Sequence, residues 1–456
     1  MSQLSSVFLE ASYCDLSNPC PVLYECIQSM CTHKSPFPPT VREVFGSLLL
    51  VLLLGMCNVG GMGGSFIASP ILMMIFNFDT IPAIRITYCM SLSGAIGVFI
   101  TNCRNRAPNS RKPLIDYDTA LLCIPVMVAG ASIGTIANSF LPPIACLSVL
   151  VLLCLIALVK CWKKAITQYR QENYQRSIQK VLFLLGIIAN TLRRITPTGE
   201  DTKIEVKIKE VPLIENESKP RGPPLFPFRR YLQFLLLLLI VIVFLILRGS
   251  KSFRSVIQVK YCGGFYWMIY AFTIVSCFIF SFFAQCLVRK KAKGDSATTV
   301  SSESSSAAEK LFDVKKCAFR LSVVAFVSGV VAGFAGVGGG TILNPLFLDM
   351  GMSGPVAAAT SSFLVLFTSF ISVFQTALSG GLSLVSALYF GALSFLGALV
   401  IATVLKCIVK KCKRNSLILF VLCFVTCMGA VAVSTYIIYR MITNKSAMVG
   451  LGKLCQ

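Results

Sequence analysis

Long apolar segments recur along this chain, and they restrict it to one kind of fold. Each segment is about 17–25 residues long, the length that one α-helix needs to cross roughly 30 Å of hydrocarbon. Hydrophobic residues make up 55% of the 456 residues, charged residues make up only 13%, and the mean hydropathy is +0.76. The chain therefore has too little polar surface for a soluble domain of this size. The sequence predicts an all-α integral membrane protein with about ten transmembrane helices.

The net charge of +23 comes mainly from the segments between the apolar runs. Lysine and arginine concentrate at 104–112, 160–230, 289–320 and 406–414, as the positive-inside rule expects of cytoplasmic loops. This distribution indicates a lipid bilayer as the partner of the chain and argues against nucleic acid.

Two glycine-rich stretches, 58–70 and 333–345, interrupt apolar segments, and we call them the first and second break. Glycine inside a helix costs about 0.5–1 kcal/mol relative to alanine, so helix stability does not explain these residues. Non-helical backbone at membrane depth persists only where protein buries it or where it lines a cavity. Each break is therefore a candidate binding site, although the same glycines would also permit close helix crossing, as predicted for Gly329 and Gly333.

The two breaks are copies of one pattern, GGMGGSFIASP and AGVGGGTILNP, with Gly61 matching Gly336 and Pro70 matching Pro345. A short apolar piece and a proline-started span follow each copy. If each short piece is re-entrant, all four basic segments fall on one side of the membrane. The sequence thus predicts two inverted-topology repeats with two re-entrant half-helices. The predicted regions are a cysteine-containing extracytoplasmic tail (1–42), a first repeat (43–160), a basic cytoplasmic loop (161–230), two linker helices (231–288), a Ser-rich cytoplasmic linker (289–316), a second repeat (317–440) and a C-terminal tail (441–456).

The expected chemistry at the breaks is the binding of a small anion. Ser69-Pro70 and Asn344-Pro345 each place a capping residue before proline, which predicts that a half-helix starts there. Two such N-termini near the midplane would bind an oxyanion through backbone N–H groups and helix dipoles. The predicted substrate-binding residues are Gly61, Gly63, Gly64, Ser65, Ser69, Pro70, Thr87, Ser91, Gly336, Gly338, Gly339, Gly340, Thr341, Asn344, Pro345, Thr360 and Ser361.

The twenty cysteines divide by their position in the sequence. Most lie singly in apolar segments, where cysteine acts as a small hydrophobic residue. Four lie in the polar N-terminal tail and predict two disulfides in an oxidising compartment, namely Cys14, Cys20, Cys26 and Cys31. No C-x2-C pair occurs there, so a metal site is disfavoured, and we predict no metal and no cofactor.

The paired motifs GMGGSFIASP and GVGGGTILNP, each followed by a short apolar piece and a proline-started span, resemble those of the TauE/SafE family of sulfite exporters. The resemblance implies a permease for small anions such as sulfite, sulfonates and related organic anions. The cysteine tail, the long basic loop and a leucine-rich span at 231–247 depart from the family pattern and look like eukaryotic additions, and Ser65 stands where the second copy has Gly340. The resemblance therefore implies a location in the plasma membrane or an endomembrane of a eukaryote.

The predicted function is secondary transport of a small anion by alternating access. An anion channel built on the same half-helices is the alternative, and a non-transporting membrane receptor or scaffold is a third possibility. An intramembrane enzyme is disfavoured, because the sole histidine, His33, lies in the tail and the spans carry no paired carboxylates and no nucleophile with a base. We therefore predict no catalytic residues, and the sequence leaves the oligomeric state open.

Overall fold

The protein folds almost entirely as α-helices. The structure, a computed structural model, describes residues 24–27, 30–34, 36, 39–107, 112–195, 228–250, 252–298, 314–336, 338–380, 382–412 and 416–443. Its elements are β1 (Tyr24–Ile27), β2 (Met30–His33), α1 (Val41–Val59), α2 (Ser65–Met74), α3 (Thr80–Asn102), α4 (Tyr117–Phe140), α5 (Pro143–Ile195), α6 (Phe228–Arg248), α7 (Gly264–Thr298), α8 (Val314–Ala335), α9 (Gly340–Asp349), α10 (Gly354–Leu378), α11 (Leu384–Cys412) and α12 (Ser416–Thr443).

The helices have the lengths that the hydropathy pattern predicts. Within the described ranges, eight helices are long and apolar enough to cross a membrane, and α8 and α12 carry shorter apolar stretches, Phe319–Ala335 and Thr426–Ile442. The two short pieces, α2 and α9, have 10 residues each. The prediction of an all-α, multi-pass integral membrane protein is therefore confirmed, and β1 and β2 add one antiparallel hairpin.

Each half-helix folds back along the helix that precedes it. At the start of α2, Gly64 lies against Leu54 of α1, and at its end the Arg42 guanidinium of α1 donates to the carbonyl of Met74. Likewise, at the start of α9, the Ser328 hydroxyl of α8 donates to the carbonyl of Gly339 over 2.6 Å. Helix α2 is thus re-entrant, since it returns toward the side from which α1 came, and α9 occupies the equivalent position after α8 in the second repeat.

The two hairpins open toward opposite ends of the molecule. The α1–α2 hairpin opens where Asp79, just before α3, pairs with Arg440 near the end of α12. We call this the cysteine end, because it also holds the tail hairpin, in which Cys26 is disulfide-bonded. The α8–α9 hairpin opens at the other end, where Gly354 faces the side chain of Gln168 on α5. We call that the basic end, and the two repeats are inverted relative to one another.

Equivalent helices of the two repeats pack in equivalent pairs. On one side, α4 lies along α8, with Gly130 and Gly134 against the backbone of α8 and Gly329 and Gly333 against the backbone of α4. In the symmetry-related position, α1 lies along α11 through Gly55 and Gly397, each facing backbone of the other helix. The predicted close crossing at Gly329 and Gly333 is confirmed.

Three helices behave differently from the core. The apolar stretch 181–194 is too short to span a bilayer and ends in arginines, so its sequence predicts a separate interfacial helix. That prediction is wrong, because α5 continues without a break for 53 residues, about 80 Å, and this stretch is its end. Residues 160–180 contain no glycine or proline that would stop helix propagation. Helices α6 and α7 are peripheral, since only 22% of the apolar window of each is buried, against 83% for α4. The leucine-rich span at α6 accordingly presents Leu232, Leu235 and Leu239 outward.

Candidate substrate site at the paired helix breaks

The two glycine breaks meet at the centre of the helix bundle. A Cβ atom added to Gly63 would lie 3.0 Å from the Cα of Gly338, and one added to Gly338 would lie 3.0 Å from the Cα of Gly63. Gly63 and Gly338 are matching residues of the two repeats, so this contact joins equivalent positions. Gly61, Gly63 and Gly336 have φ values of 78°, 77° and 71°, a left-handed conformation that residues with side chains rarely adopt. Glycine is needed here both for backbone conformation and for close approach.

The half-helices begin earlier than their sequence predicts. Helix α2 starts at Ser65, directly after the left-handed Gly64, and α9 starts at Gly340. Ser69-Pro70 and Asn344-Pro345 therefore lie inside the helices, and the prediction that they form the N-termini is wrong. The glycines end the preceding non-helical segment, so each half-helix can begin directly after them. The Asn344 side chain therefore does not cap its own helix and instead contacts the first break.

Side chains from one half-helix hydrogen-bond to the opposite break. The Asn344 amide donates to the carbonyl of Gly60 over 2.6 Å, and the Thr341 hydroxyl donates to the carbonyl of Met62 over 3.0 Å. These carbonyls belong to non-helical backbone and have no helical partner, so the contacts satisfy groups that are costly to bury alone. The N-terminal turn of α9 thus already faces oxygen atoms, which are supplied by the first break.

Helix α3 contributes two further hydroxyl groups to the breaks. Ser91 donates to the carbonyl of Gly63 over 3.0 Å, and Thr87 lies 3.4 Å from the carbonyl of Gly336. Both side chains are at most 1% exposed. The structure therefore brings both predicted residues to the breaks, one to each.

The residues predicted on α10 are arranged differently. Ser361 lies against Gly61 and donates to the carbonyl of Ala358 in its own helix. Thr360 accepts a hydrogen bond from the backbone N–H of Asp116 over 3.1 Å, so it faces the connection before α4 at the basic end. The side chain of Ser65 lies outside the described part of the chain, so its predicted role stays a prediction.

Four polar residues at the breaks were not among the predicted substrate-binding residues. Ser328 bonds the carbonyl of Gly339 and Ser362 bonds the carbonyl of Asn58, while the Asn58 amide lies 3.3 Å from the hydroxyl of Ser394. Asn58 is 2% exposed, and its Oδ1 has no hydrogen-bond partner among the described residues. Asn58 could have been recognised, because it is the polar first residue of the first break and follows an apolar run. Ser394 carries no comparable signal in the sequence.

A narrow crevice lies beside the second break. Beside Gly338, Gly339 and Thr341, this crevice holds room of about 10 Å³, which is roughly one water-sized position. An oxyanion does not fit there without movement. The hydrogen-bonding side chains named at the breaks are uncharged, so any ligand would be held by dipoles and hydrogen bonds.

Cysteines of the cysteine end are oxidised. Cys26 on β1 and Cys262, just before α7, are each disulfide-bonded. Cys262 was not among the predicted cysteines, because it lies between two apolar spans rather than in the tail. Cys14 and Cys20, together with the side chain of Cys31, lie outside the described residues, and the pairing within the tail stays a prediction.

Inverted repeats whose broken helices meet at the bundle centre define a multi-pass membrane transporter. The family model described as "Sulfite exporter TauE/SafE" matches residues 46–192 and 228–432, and the chain belongs to this family, which is one of transporters and not of enzymes.

Curated relatives extend over most of the chain. "Sulfite exporter TauE/SafE family protein 2" of Arabidopsis thaliana is 28% identical over 401 residues, covering 87% of this chain and 83% of that protein. Family protein 3 of the same plant is 29% identical over 425 residues, covering 91% and 83%. Family protein 6 is 24% identical over 370 residues, covering 80% and 74%. No solved structure matches the chain.

Proposed function

We propose that the protein is a secondary permease for a small anion, of the sulfite, sulfonate or related organic anion type. The observation that carries this proposal is the reciprocal contact of Gly63 and Gly338, which brings two re-entrant half-helices of opposite direction together. Membership of the sulfite exporter family supports sulfite as the first anion to test.

The anion would be held by the N-terminal turns of α2 and α9. The first N–H groups of a helix have no acceptor inside it, and the helix dipole adds about 0.3–1 kcal/mol in favour of an anion, up to about 2 kcal/mol when the site is partly buried. The glycines let these N–H groups approach a ligand closely. In the observed conformation the carbonyls of Gly60 and Met62 face the residues of α9. We expect the oxygens of the substrate to replace these carbonyls.

Transport requires the breaks to separate, because the crevice is too small for an oxyanion. Rocking of one repeat against the other would open the breaks first toward the cysteine end and then toward the basic end. The basic end would face the cytoplasm by the positive-inside rule. The disulfides at Cys26 and Cys262 support the same orientation, since they form in oxidising compartments.

The test is uptake of sulfite and, separately, of methanesulfonate into proteoliposomes. We expect Gly63→Leu and Gly338→Leu to reduce uptake at least tenfold, because each side chain would meet backbone of the opposite break. Gly264→Leu is the matched control, since nothing lies within 4 Å of a Cβ added at that position. Parental uptake by both break variants would overturn the assignment of the site.

The same preparation separates a carrier from other classes of protein. Saturable uptake that accelerates when unlabelled anion is present on the other side indicates a carrier. Large unitary currents in planar bilayers would indicate a channel instead. A chain that binds but never transports either anion would contradict the proposal and favour a receptor.

A further inference from the structure

Arg248, the last residue of α6, is a buried cation that forms no ion pair with the residues that the structure describes. It is 5% exposed, and its Nε and Nη1 atoms have no hydrogen-bond partner among the described residues. Burying the Nε and Nη1 donors without hydrogen bonds is costly, because water is removed from them and no acceptor replaces it. Arginines at other helix ends are paired, as Arg230 is with Asp118 and Arg440 with Asp79.

The sequence around Arg248 supplies no carboxylate at this end. Between residues 228 and 298 the one acidic residue is Asp295, at the opposite end of α7. The connection between α6 and α7 instead carries further cations, including the exposed Arg254 and Lys260. The charged residues of the connection between α6 and α7 are therefore all cations.

Capping of α6 does not explain the orientation of the Arg248 side chain. The carbonyl of Leu247 accepts from the hydroxyl of Ser255, and the carbonyl of Leu245 accepts from the N–H of Gly249. Two carbonyls of the last turn are thus satisfied by the chain that follows the helix. The helix dipole still favours a cation at this position, but it leaves the Nε and Nη1 donors without acceptors.

Two tyrosines of α7 frame the guanidinium. Its central carbon lies 5.0 Å from the ring centroid of Tyr266 and 5.1 Å from that of Tyr270, distances that cation–π contacts typically show. The rings hold the cation in place without consuming its N–H groups. The hydroxyl of Tyr270 is buried and also lacks a hydrogen-bond partner within the described ranges. The site therefore combines two buried donors of a charged group, Nε and Nη1 of Arg248, with one neutral donor, the hydroxyl of Tyr270.

We propose that Arg248 and Tyr270 bind a small oxyanion, of the sulfate, sulfonate or carboxylate class, at the cysteine end and apart from the breaks. Guanidinium groups recognise such oxygens through charge-assisted hydrogen bonds, and the Tyr270 hydroxyl donates one more. Arg254 and Lys260 raise the local concentration of anions. The proposal does not depend on transport at the breaks, because none of its residues lies there.

Trp267 offers a direct measurement of binding. Its ring centroid lies 5.4 Å from that of Tyr266 and 6.0 Å from that of Tyr270, and the chain has 2 tryptophans. In a Trp162→Phe background, the full chain in lipid nanodiscs would be titrated with sodium sulfate. Sodium chloride at equal ionic strength is the control. We expect a saturable change in Trp267 emission with sulfate that the chloride control does not reproduce.

Three variants test which residues bind the anion. Arg248→Gln should weaken sulfate binding roughly tenfold or more, the loss typical of one charge-assisted hydrogen bond. Tyr270→Phe keeps the ring and should weaken binding severalfold, which provides a test if Arg248→Gln does not fold. Arg254→Gln removes a charge from the same connection at an exposed position and should retain parental affinity within about threefold, as expected for a screened surface charge.

Several outcomes would overturn the proposal. These are a sulfate response identical to that of chloride, parental affinity in Tyr270→Phe, or an equal loss in Arg254→Gln. Gly338→Leu separates this site from the breaks, since it should lose uptake and still bind sulfate. Loss of the sulfate response in Gly338→Leu would place the ligand at the breaks and not at Arg248.

Discussion

At the scale of single residues, hydrogen bonds from side chains of one repeat to backbone carbonyls of the other stabilise the breaks. Asn344 belongs to the second repeat, yet its amide serves a carbonyl of the first break. Ser91 and Thr87 show that one helix, α3, can serve both breaks. Polar residues that the sequence predicts as ligand contacts thus also stabilise the non-helical backbone of the breaks. The two roles are compatible if the oxygens of a substrate replace the break carbonyls that these residues now contact.

Asn344→Ala should destabilise the protein by about 1–3 kcal/mol, because the carbonyl of Gly60 would lose its donor at a fully buried position. Unfolding in mild detergent, followed by circular dichroism, measures this loss. Asn105→Ala is the matched control, since that amide bonds Thr101 at a half-buried surface position. Equal losses for the two variants would contradict the account.

Asp116 gives a prediction that depends on pH. Burial raises the pKa of its carboxyl group, although Thr119 and Asp118 donate hydrogen bonds to it. The ionised form therefore opposes folding: the cost is absent below the unfolded pKa of about 4, grows as pH rises, and is complete above the raised pKa. Asp116→Asn keeps an N-cap acceptor and removes the charge, so it should be at least as stable as the parent at pH 7.

Thermal unfolding at pH 7 and near pH 4 measures this effect, and the advantage of Asp116→Asn should vanish at the lower pH. Asp118→Asn is the control, because it breaks the partly exposed ion pair with Arg230 and should cost about 0–1 kcal/mol at pH 7. A clear loss of stability for Asp116→Asn at pH 7 would show that the carboxylate is required.

At the scale of elements, small residues decide which helices touch. Gly130 and Gly134 of α4 alternate with Gly329 and Gly333 of α8, so the two backbones come into direct contact. Without a hydrophobic driving force inside lipid, such close packing is a main source of helix association. The equivalent contact of α1 with α11 uses Gly55 and Gly397. These two seams join the first repeat to the second.

Gly134→Ala should force α4 and α8 apart, because the added Cβ would lie 2.0 Å from the carbonyl oxygen of Val330. Overpacking of this kind costs about 1–3 kcal/mol, and thermal unfolding in detergent measures it. Gly264→Ala is the control for helix propensity, since its Cβ would meet nothing within 4 Å. A Gly134→Ala protein as stable as the Gly264→Ala protein would contradict the close seam.

At the scale of the whole molecule, the re-entrant half-helices determine which loops share a side. Because α2 and α9 turn back, the connection before α4 and the start of α12 both lie at the basic end, where Ser416 bonds Glu172 of α5. The α6–α7 connection lies at the cysteine end, with Ser252 against Gly380. Full crossings by the half-helices would place the basic cluster at 406–414 on the wrong side.

Labelling of introduced cysteines in cells tests this topology. Val256→Cys, at a position 70% exposed in the α6–α7 connection, should react with a membrane-impermeant maleimide in intact cells. Arg104→Cys, exposed in the connection before α4, should react only after permeabilisation. Labelling is scored above that of the parent chain, which has its own free cysteines. The reverse pattern would invert the orientation.

Sequence alone determined the membrane class, the spans and the pairing of the two breaks, because length and hydropathy limit what can cross a bilayer and glycine patterns mark where helices stop. It also placed Gly63 and Gly338 in corresponding positions. Tertiary structure alone decided that these two glycines touch, that the half-helices begin at Ser65 and Gly340, and that Arg248 is buried against two tyrosines of α7. Each of these features depends on packing between separate elements, about which local propensity carries no information.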